Sequence, residues 1–368
     1  MQSAGSEEDI DTINLTYPTI TINPYVPQDH IVNPQNFSYI LNPNWTVCQH
    51  NVYIIVCVHS TPAYYQRRLL IRETWAARNV FPEIRLVFML GQTIDNKIMQ
   101  AVKFENDLYQ DIVQEDFLDS YRNLTHKAMM ALKWISTYCS QASYISKTDD
   151  DMIVNTFTLL KHLKFRDSHR MKQNNSIFCR VYKPMNVFRD KNIKWYLSEK
   201  EYPLEKFSSF CSGSAFILTN DLAKTIYNLS LYVPFLWIDD VYITGLVAQA
   251  VNVTFNQLKS LYTMNDETIG LTKHTGIIIK NPNLFKRRRS LNKLAVIISS
   301  ASLDNSTSDG ETLEQVVNFE NVRKSDLIES NNKENYSSIK KNICSLIDHN
   351  SFRTNYAKFR LSQDTMRM

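Results

Sequence analysis

The segment Tyr144-Ile145-Ser146-Lys147-Thr148-Asp149-Asp150-Asp151-Met152 constrains this chain more than any other. A strand-like run passes directly into three adjacent carboxylates. Neighbouring like charges repel, and a folded site keeps them together where a cation compensates them. At the C-terminal end of a strand, such a cluster suits a divalent metal, and the metal a diphosphate. Mg²⁺ and Mn²⁺ are hard cations that bind through one or two carboxylates plus substrate phosphates. A solvated acidic turn, with Asp151 near the start of a helix beginning about Asn155, explains the triplet without a ligand.

The surrounding elements repeat one pattern. Val52-Tyr53-Ile54-Ile55-Val56-Cys57-Val58 is an unbroken apolar run of strand length, as in a fully buried parallel strand. A helix is expected over 64–77 and a strand over 85–90, closed by Gly91. A helix over 96–109 and a short strand over 111–114 follow. The helix over 122–139 carries a stripe of Leu124, Ala128, Ala131, Leu132 and Ile135. Strand 143–147 delivers the aspartates. This alternation predicts an α/β domain on a central, mostly parallel sheet, with ligands at the carboxyl ends of its strands. The second half has a more antiparallel flavour, with strands over 176–182, 214–218 and 253–257 and helices over 220–229 and 239–250. The chain has only 7 glycines and neither G-x-G-x-x-G nor a P-loop. A backbone cradle for phosphate is therefore disfavoured, which leaves a metal to neutralise it.

Residues 1–49 are rich in Pro, Asn and Thr and read as an extended stem or an arm draped over a domain. Residues 50–283 form the domain, and 284–368 read as a polar, disordered tail. A net charge of +4 over 368 residues does not indicate nucleic acid, and Lys286-Arg287-Arg288-Arg289 reads as a solvated linker. No apolar run approaches the ~20 residues that span a bilayer, and the N-terminus lacks a signal-peptide pattern. Nine Asn-x-Ser/Thr sequons occur, each weak by itself. None of the 6 cysteines forms C-x-x-C, which disfavours zinc. Cys57 reads as a small buried hydrophobe, and the others could pair in an oxidising lumen, with connectivity open.

A second acid pair, Asp239-Asp240, follows Trp237 at the start of the helix expected over 239–250. Helix capping accounts for one acidic residue there and less well for two. A transferase needs a carboxylate that takes a proton from an incoming hydroxyl, separate from those on the metal. Arg68 and Arg72 lie four residues apart on one helix face and suit bidentate contact with phosphate. A solvated helix face is the bland alternative, with Trp75 as core.

Several ordered blocks then align with a known family. They are Arg68-Leu-Leu-Ile-Arg72-Glu-Thr74-Trp75, Phe88-Met-Leu-Gly91, Asp111 to Lys127, Lys147-Thr-Asp149-Asp150-Asp151, Tyr202-Pro203, Cys211-Ser-Gly213 and Asp239-Asp240-Val241-Tyr242. From about Asn51 to His274 the chain resembles the β-1,3-galactosyltransferase and β-1,3-N-acetylglucosaminyltransferase family, glycosyltransferase family 31. The resemblance implies a GT-A-like fold, a UDP-sugar donor, a glycan acceptor on glycoprotein or glycolipid, Mn²⁺ (or Mg²⁺), and inversion at the anomeric carbon. It implies metal contacts from Asp149 and Asp151, with His274 as a further candidate ligand. Donor contacts are implied for Arg68, Arg72, Lys147, Asp149 and Asp150. Asp240 would be the catalytic base beside Asp239, and Tyr202, Gly213 and Trp237 would line the sugar pocket. Where the family has Glu-Asp-Val, this chain has Asp239-Asp240-Val241. Where it has Gly-x-Gly-Tyr, this chain has Gly213-Ser214-Ala215-Phe216, which bears on acceptor identity. Members are type II Golgi membrane proteins, and this sequence shows no anchor, so the stem-like start suggests either an incomplete N-terminus or a soluble form. Two other readings compete with transfer: a catalytically silent homologue, and metal-dependent phosphoryl transfer.

Overall fold

A computed structural model describes residues 23–49, 52–169, 174–258, 262–263 and 278–280. Strand β1 (Tyr39–Leu41) precedes β2 (Ile54–His59), α1 (Tyr65–Glu73), β3 (Ile84–Gln92), α2 (Asn96–Tyr109) and β4 (Ile112–Leu118). Next come α3 (Leu124–Tyr138), β5 (Tyr144–Asp149), β6 (Met152–Val154), α4 (Thr156–Ser168), β7 (Ser176–Tyr182) and β8 (Met185–Asn186). The remainder is β9 (Lys206–Phe207), β10 (Phe210–Thr219), α5 (Asp221–Ser230), a π-helix (Val241–Val247), β11 (Thr254–Gln257), β12 (Tyr262–Thr263) and β13 (Ile278–Lys280).

Eight strands form the central sheet in the order β1-β4-β3-β2-β5-β10-β7-β11. The pairs β4–β3, β3–β2, β2–β5 and β7–β11 are parallel, whereas β1 and β10 run against their neighbours. The α/β fold on a mostly parallel sheet is therefore present; β10 supplies the antiparallel component expected of the second half, whereas β11 runs parallel to β7 and β1 adds an antiparallel strand from the first half. Sidedness follows from the two-residue period of a strand. In β2, Ile55 and Cys57 join the core under α3, α5 and the π-helix. Ile54, Val56 and Val58 join the opposite core, with Ile71 and Trp75 near α1, Val102 of α2, and Leu159 and Leu163 of α4. Two helical layers thus enclose the sheet. Helix α2 is set locally: Asp95 accepts from the Lys97 and Ile98 amides at its start, and Gln110 takes a left-handed conformation (φ 51°) at its end.

Of the two expectations for residues 1–49, a stem or a draped arm, residues 23–49 take the form of an arm packed on the domain. β1 pairs with β4, Tyr25 is buried against Tyr202, and Asn33 donates to the Tyr242 hydroxyl at 2.8 Å. Trp134 Nε1 donates to Asn42 at 2.9 Å, and a Cys48–Cys139 disulfide fastens the arm to the end of α3. A second disulfide joins Cys179 of β7 to Cys211 of β10, and Cys57 is a buried free thiol. The expected tail, the basic run at 286–289 and Cys344 lie outside the described residues. Among the described residues, no helix is long and apolar enough to cross a membrane.

Candidate active site

Strand β5 lies inside the sheet between β2 and β10, and at its carboxyl end the alternation of side chains divides the aspartate triplet. Lys147 and Asp149, two residues apart, share a face, and the Lys147 ammonium donates to Asp149 at 2.7 Å. Asp150 turns elsewhere, accepting from Ser60 Oγ at 2.7 Å and from Arg67 at 2.6 Å. Lys147 also donates to the carbonyl of Gly213 and lies 3.7 Å from Asp239. One ammonium therefore draws together the two acidic clusters that the sequence keeps far apart.

Gly213 completes the link. The register of β10 against β7 shifts between Cys211 and Phe216, so this stretch leaves the regular ladder. The Gly213 amide donates to Asp240 at 2.9 Å while its carbonyl holds Lys147. A Cβ at position 213 would meet Asp240 Oδ2 at 2.8 Å, so only glycine permits this approach. The other Asp240 oxygen accepts from the Val241 amide at 2.9 Å, which caps the π-helix. Each oxygen of an ionised carboxylate has more than one acceptor site, so capping and proton acceptance coexist in one side chain.

The charges are unbalanced. Burial, then the charge of Asp239, pushes Asp240 up to about 7, against the opposing pull of Lys147 and the two amides. Asp149 rises to about 6, chiefly through burial; Lys147 pulls it down, and Asp239 and Asp151 add to the rise. Burial would lower the Lys147 ammonium, but Asp149, Asp239 and Asp240 outweigh it and hold the group charged above its usual range.

Several predicted residues fall elsewhere. Every donor of the Arg68 fork is engaged within the protein: Glu105 at 2.8 and 2.6 Å, Ser60 Oγ at 3.2 Å, and the carbonyls of Thr61 and Pro62 at 2.6 and 3.1 Å. Arg72 grips Asp111 with two bonds of 2.7 Å and Glu105 with one of 2.8 Å. Both arginines face α2 and β4, because the shared helix face that spacing identifies is the buried one. Their neighbour Arg67, bound to Asp150, is the basic residue of α1 that reaches the triplet. Tyr202 is only 1% exposed, packed between Tyr25 and Phe207, and supports the site's surroundings rather than lining a pocket. Trp75 is core, as the bland reading held. Trp237 is buried beside the acid pair, and its Nε1 has no hydrogen-bond partner among the described residues. His274 lies outside the described residues.

Other nearby groups escaped sequence reasoning. His59 pairs with Asp149 in the β2–β5 register, and neither of its buried ring nitrogens has a partner among the described residues. Burial, with Lys147 and Lys127, holds this imidazole well below its usual value. Lys127 donates to Asp119 at 2.9 Å and to the Ser60 carbonyl. Tyr121, Arg122 and Trp195 surround Trp237 or one another. Tyr121, Arg122 and Lys127 lie within the block Asp111 to Lys127 that carries the resemblance, although no site role was drawn from it; His59 and Trp195 lie in no such block.

No group of three or more His, Cys, Asp or Glu side chains converges as a metal cage among the described residues. A cation that binds through one or two carboxylates plus substrate phosphates does not require one. Asp149 and Asp151 fit that role in kind, since they are hard oxygen donors, and a cation would offset both the burial that chiefly raises Asp149 and the smaller push from Asp239 and Asp151.

The family model described as Galactosyltransferase matches residues 66–259. Beta-1,3-galactosyltransferase 1 of Homo sapiens is 33% identical over 261 residues, spanning 68% of this chain and 76% of that protein. Beta-1,3-galactosyltransferase 2 of Homo sapiens is 34% identical over 216 residues, spanning 57% of this chain and 50% of that protein. Among solved structures, galactosyltransferase LgtC in complex with donor and acceptor sugar analogs is 11% identical, with a TM-score of 0.35, and covers 67% of this chain and 95% of that one. The fold assignment stands on the strand order and packing above.

Proposed function

This chain belongs to the galactosyltransferase family and is a glycosyltransferase; we propose that it transfers a hexose, galactose or N-acetylglucosamine, from a UDP-sugar to a glycan hydroxyl in β-1,3 linkage. The observation that carries this reading is Asp240. It is a carboxylate fixed by two amides and raised to about 7, beside Asp239 and Lys147 at the carboxyl end of β5. A general base works best when its pKa lies near the working pH.

In the proposed reaction Asp240 takes the acceptor hydroxyl's proton as that oxygen bonds to C1 of the donor sugar. The bond from C1 to the diphosphate breaks on the opposite face, and its electron pair leaves with UDP. One displacement converts an α-linked donor into a β-linked product. Lys147 keeps Asp149 and Asp239 in register with the base and lowers its pKa. Mn²⁺ or Mg²⁺ held by Asp149 and Asp151 would supply charge stabilisation for the departing diphosphate. Two disulfides suit an oxidising compartment, in keeping with a Golgi lumenal catalytic domain on an N-terminal anchor.

The test is donor profiling. The purified chain with Mn²⁺ is given a panel of UDP-sugars, with and without glycan acceptors, and UDP release is measured. Acceptor-dependent release from UDP-galactose or UDP-N-acetylglucosamine, suppressed by chelator, is expected. Release from no donor, or release indifferent to acceptor, would reject the proposal.

A further inference from the structure

Building on that reading, we infer that Trp195 is the platform on which the acceptor's pyranose ring stacks, with Tyr121 as its positioning residue. Trp195 lies in the segment between β8 and β9 and is 44% exposed. It is nevertheless held. Its Nε1 donates to the Tyr121 hydroxyl at 2.8 Å, and its ring packs on Phe188 with centroids 5.7 Å apart. An indole fixed in solvent presents a flat apolar face at low ordering cost on binding.

A chain of contacts ties this platform to the acids. Tyr121 meets Trp237 edge-on at 5.9 Å, and Trp237 precedes Asp239 by two residues. Burial raises the Tyr121 hydroxyl, Trp195 opposes it, and the charges of Asp239, Asp240 and Asp149 raise it further, so Tyr121 lies within their field. Polar groups flank the rings: Lys194 lies 3.8 Å from the Tyr121 ring centroid, and Arg122 lies 4.4 Å from that of Trp237 while binding Glu201 at 2.8 Å. A pyranose has one face of C–H groups and a rim of hydroxyls. An aromatic face with polar groups around it matches both. The sugar concerned is the acceptor's, because the platform connects to the base through Trp237, whereas the donor's diphosphate is assigned to Asp149 and Asp151.

The test compares Trp195→Ala, Trp195→Phe and Tyr121→Phe by steady-state kinetics, and by saturation-transfer NMR with methyl β-galactoside and methyl β-N-acetylglucosaminide. Trp195→Ala should raise the acceptor KM about tenfold, the scale of one lost aromatic contact. The UDP-sugar KM and the slow hydrolysis of donor by water should not change. Trp195→Phe should recover most of the affinity, and Tyr121→Phe should lose less than Trp195→Ala. An unchanged acceptor KM, or a donor KM that rises equally, overturns the inference. If the unmutated protein transfers no sugar, the proposed function fails, and glycoside binding then decides alone. Binding that disappears in Trp195→Ala upholds the platform; binding that is unaffected, or absent from the unmutated protein, rejects it.

Discussion

Two charged clusters in this protein use the same residue types to opposite ends. Between α1, α2 and β4, two guanidiniums, Arg68 and Arg72, meet two carboxylates, Glu105 and Asp111, in a buried network. At the carboxyl end of β5, one ammonium, Lys147, serves three carboxylates, Asp149, Asp239 and Asp240. The first cluster is balanced and leaves no Arg68 donor for a ligand. The second is short of positive charge, and burial raises two of its acids towards neutrality. Balance marks scaffold, and imbalance marks a place where a cation or proton arrives.

The largest expected effect breaks the balanced cluster. Arg68→Ala leaves Glu105 without its bidentate partner in a fully buried site and should cost about 3–5 kcal/mol of stability, measured by denaturant unfolding. Donor affinity of the folded fraction should not change. A stable variant with weakened UDP binding would restore Arg68 as a phosphate ligand.

Asp240→Asn probes the other cluster. Turnover should fall at least ~10²-fold, the usual scale for a lost general base, with UDP-sugar affinity retained. Stability offers a second readout. The folded pKa of Asp240 exceeds the ordinary carboxylate value, so its protonated form favours folding and stability falls as pH rises from about 4 to about 7. The Asn variant should lose less stability across that window. A parallel loss of activity and stability, equal in Asp239→Asn, would reduce Asp240 to a helix cap.

Gly213→Ala should displace Asp240, whose oxygen lies where the new methyl falls. We expect kcat to drop about tenfold or more, since small misplacements of a reacting group are costly, while KM for donor stays constant. The smallest effect sharpens the charge argument. The acid limb of kcat/KM should have its midpoint near pH 7 in the unmutated protein, and Lys147→Met should move it to higher pH, because the ammonium lowers Asp240. A limb that stays in place would remove Lys147 from the electrostatics of the base.

Much of this was legible in the sequence. Helix α2 and strand β7 occupy the residues that periodicity indicated, and Asn155 caps α4 by accepting from the Thr158 amide at 3.1 Å. Local pattern suffices where an element's own residues decide its shape. Charge pairing does not belong to that class. Spacing put Arg68 and Arg72 on one face, but the identity of that face depends on Glu105, which arrives on another helix. The packing of the arm was hidden for a related reason: residues 23–49 have no period, because Tyr25, Asn33 and Asn42 are fixed by separate contacts to distant parts of the chain. Trp195 gave no sign at all, since its hydrogen bond to Tyr121 crosses between distant loops.

The π-helix has a consequence for insertions and deletions. It spends more residues per turn than an α-helix, and every side chain from Val241 to Val247 is buried. Removing one residue between Asp240 and Thr244 would shift Thr244 one position closer to Asp240 and bring a different side chain to the place it holds. Thr244, which donates to the Asp240 carbonyl and accepts from the Cys211 amide, would then face the wrong wall. This stretch can exchange one apolar side chain for another far more readily than it can change its length by a single residue.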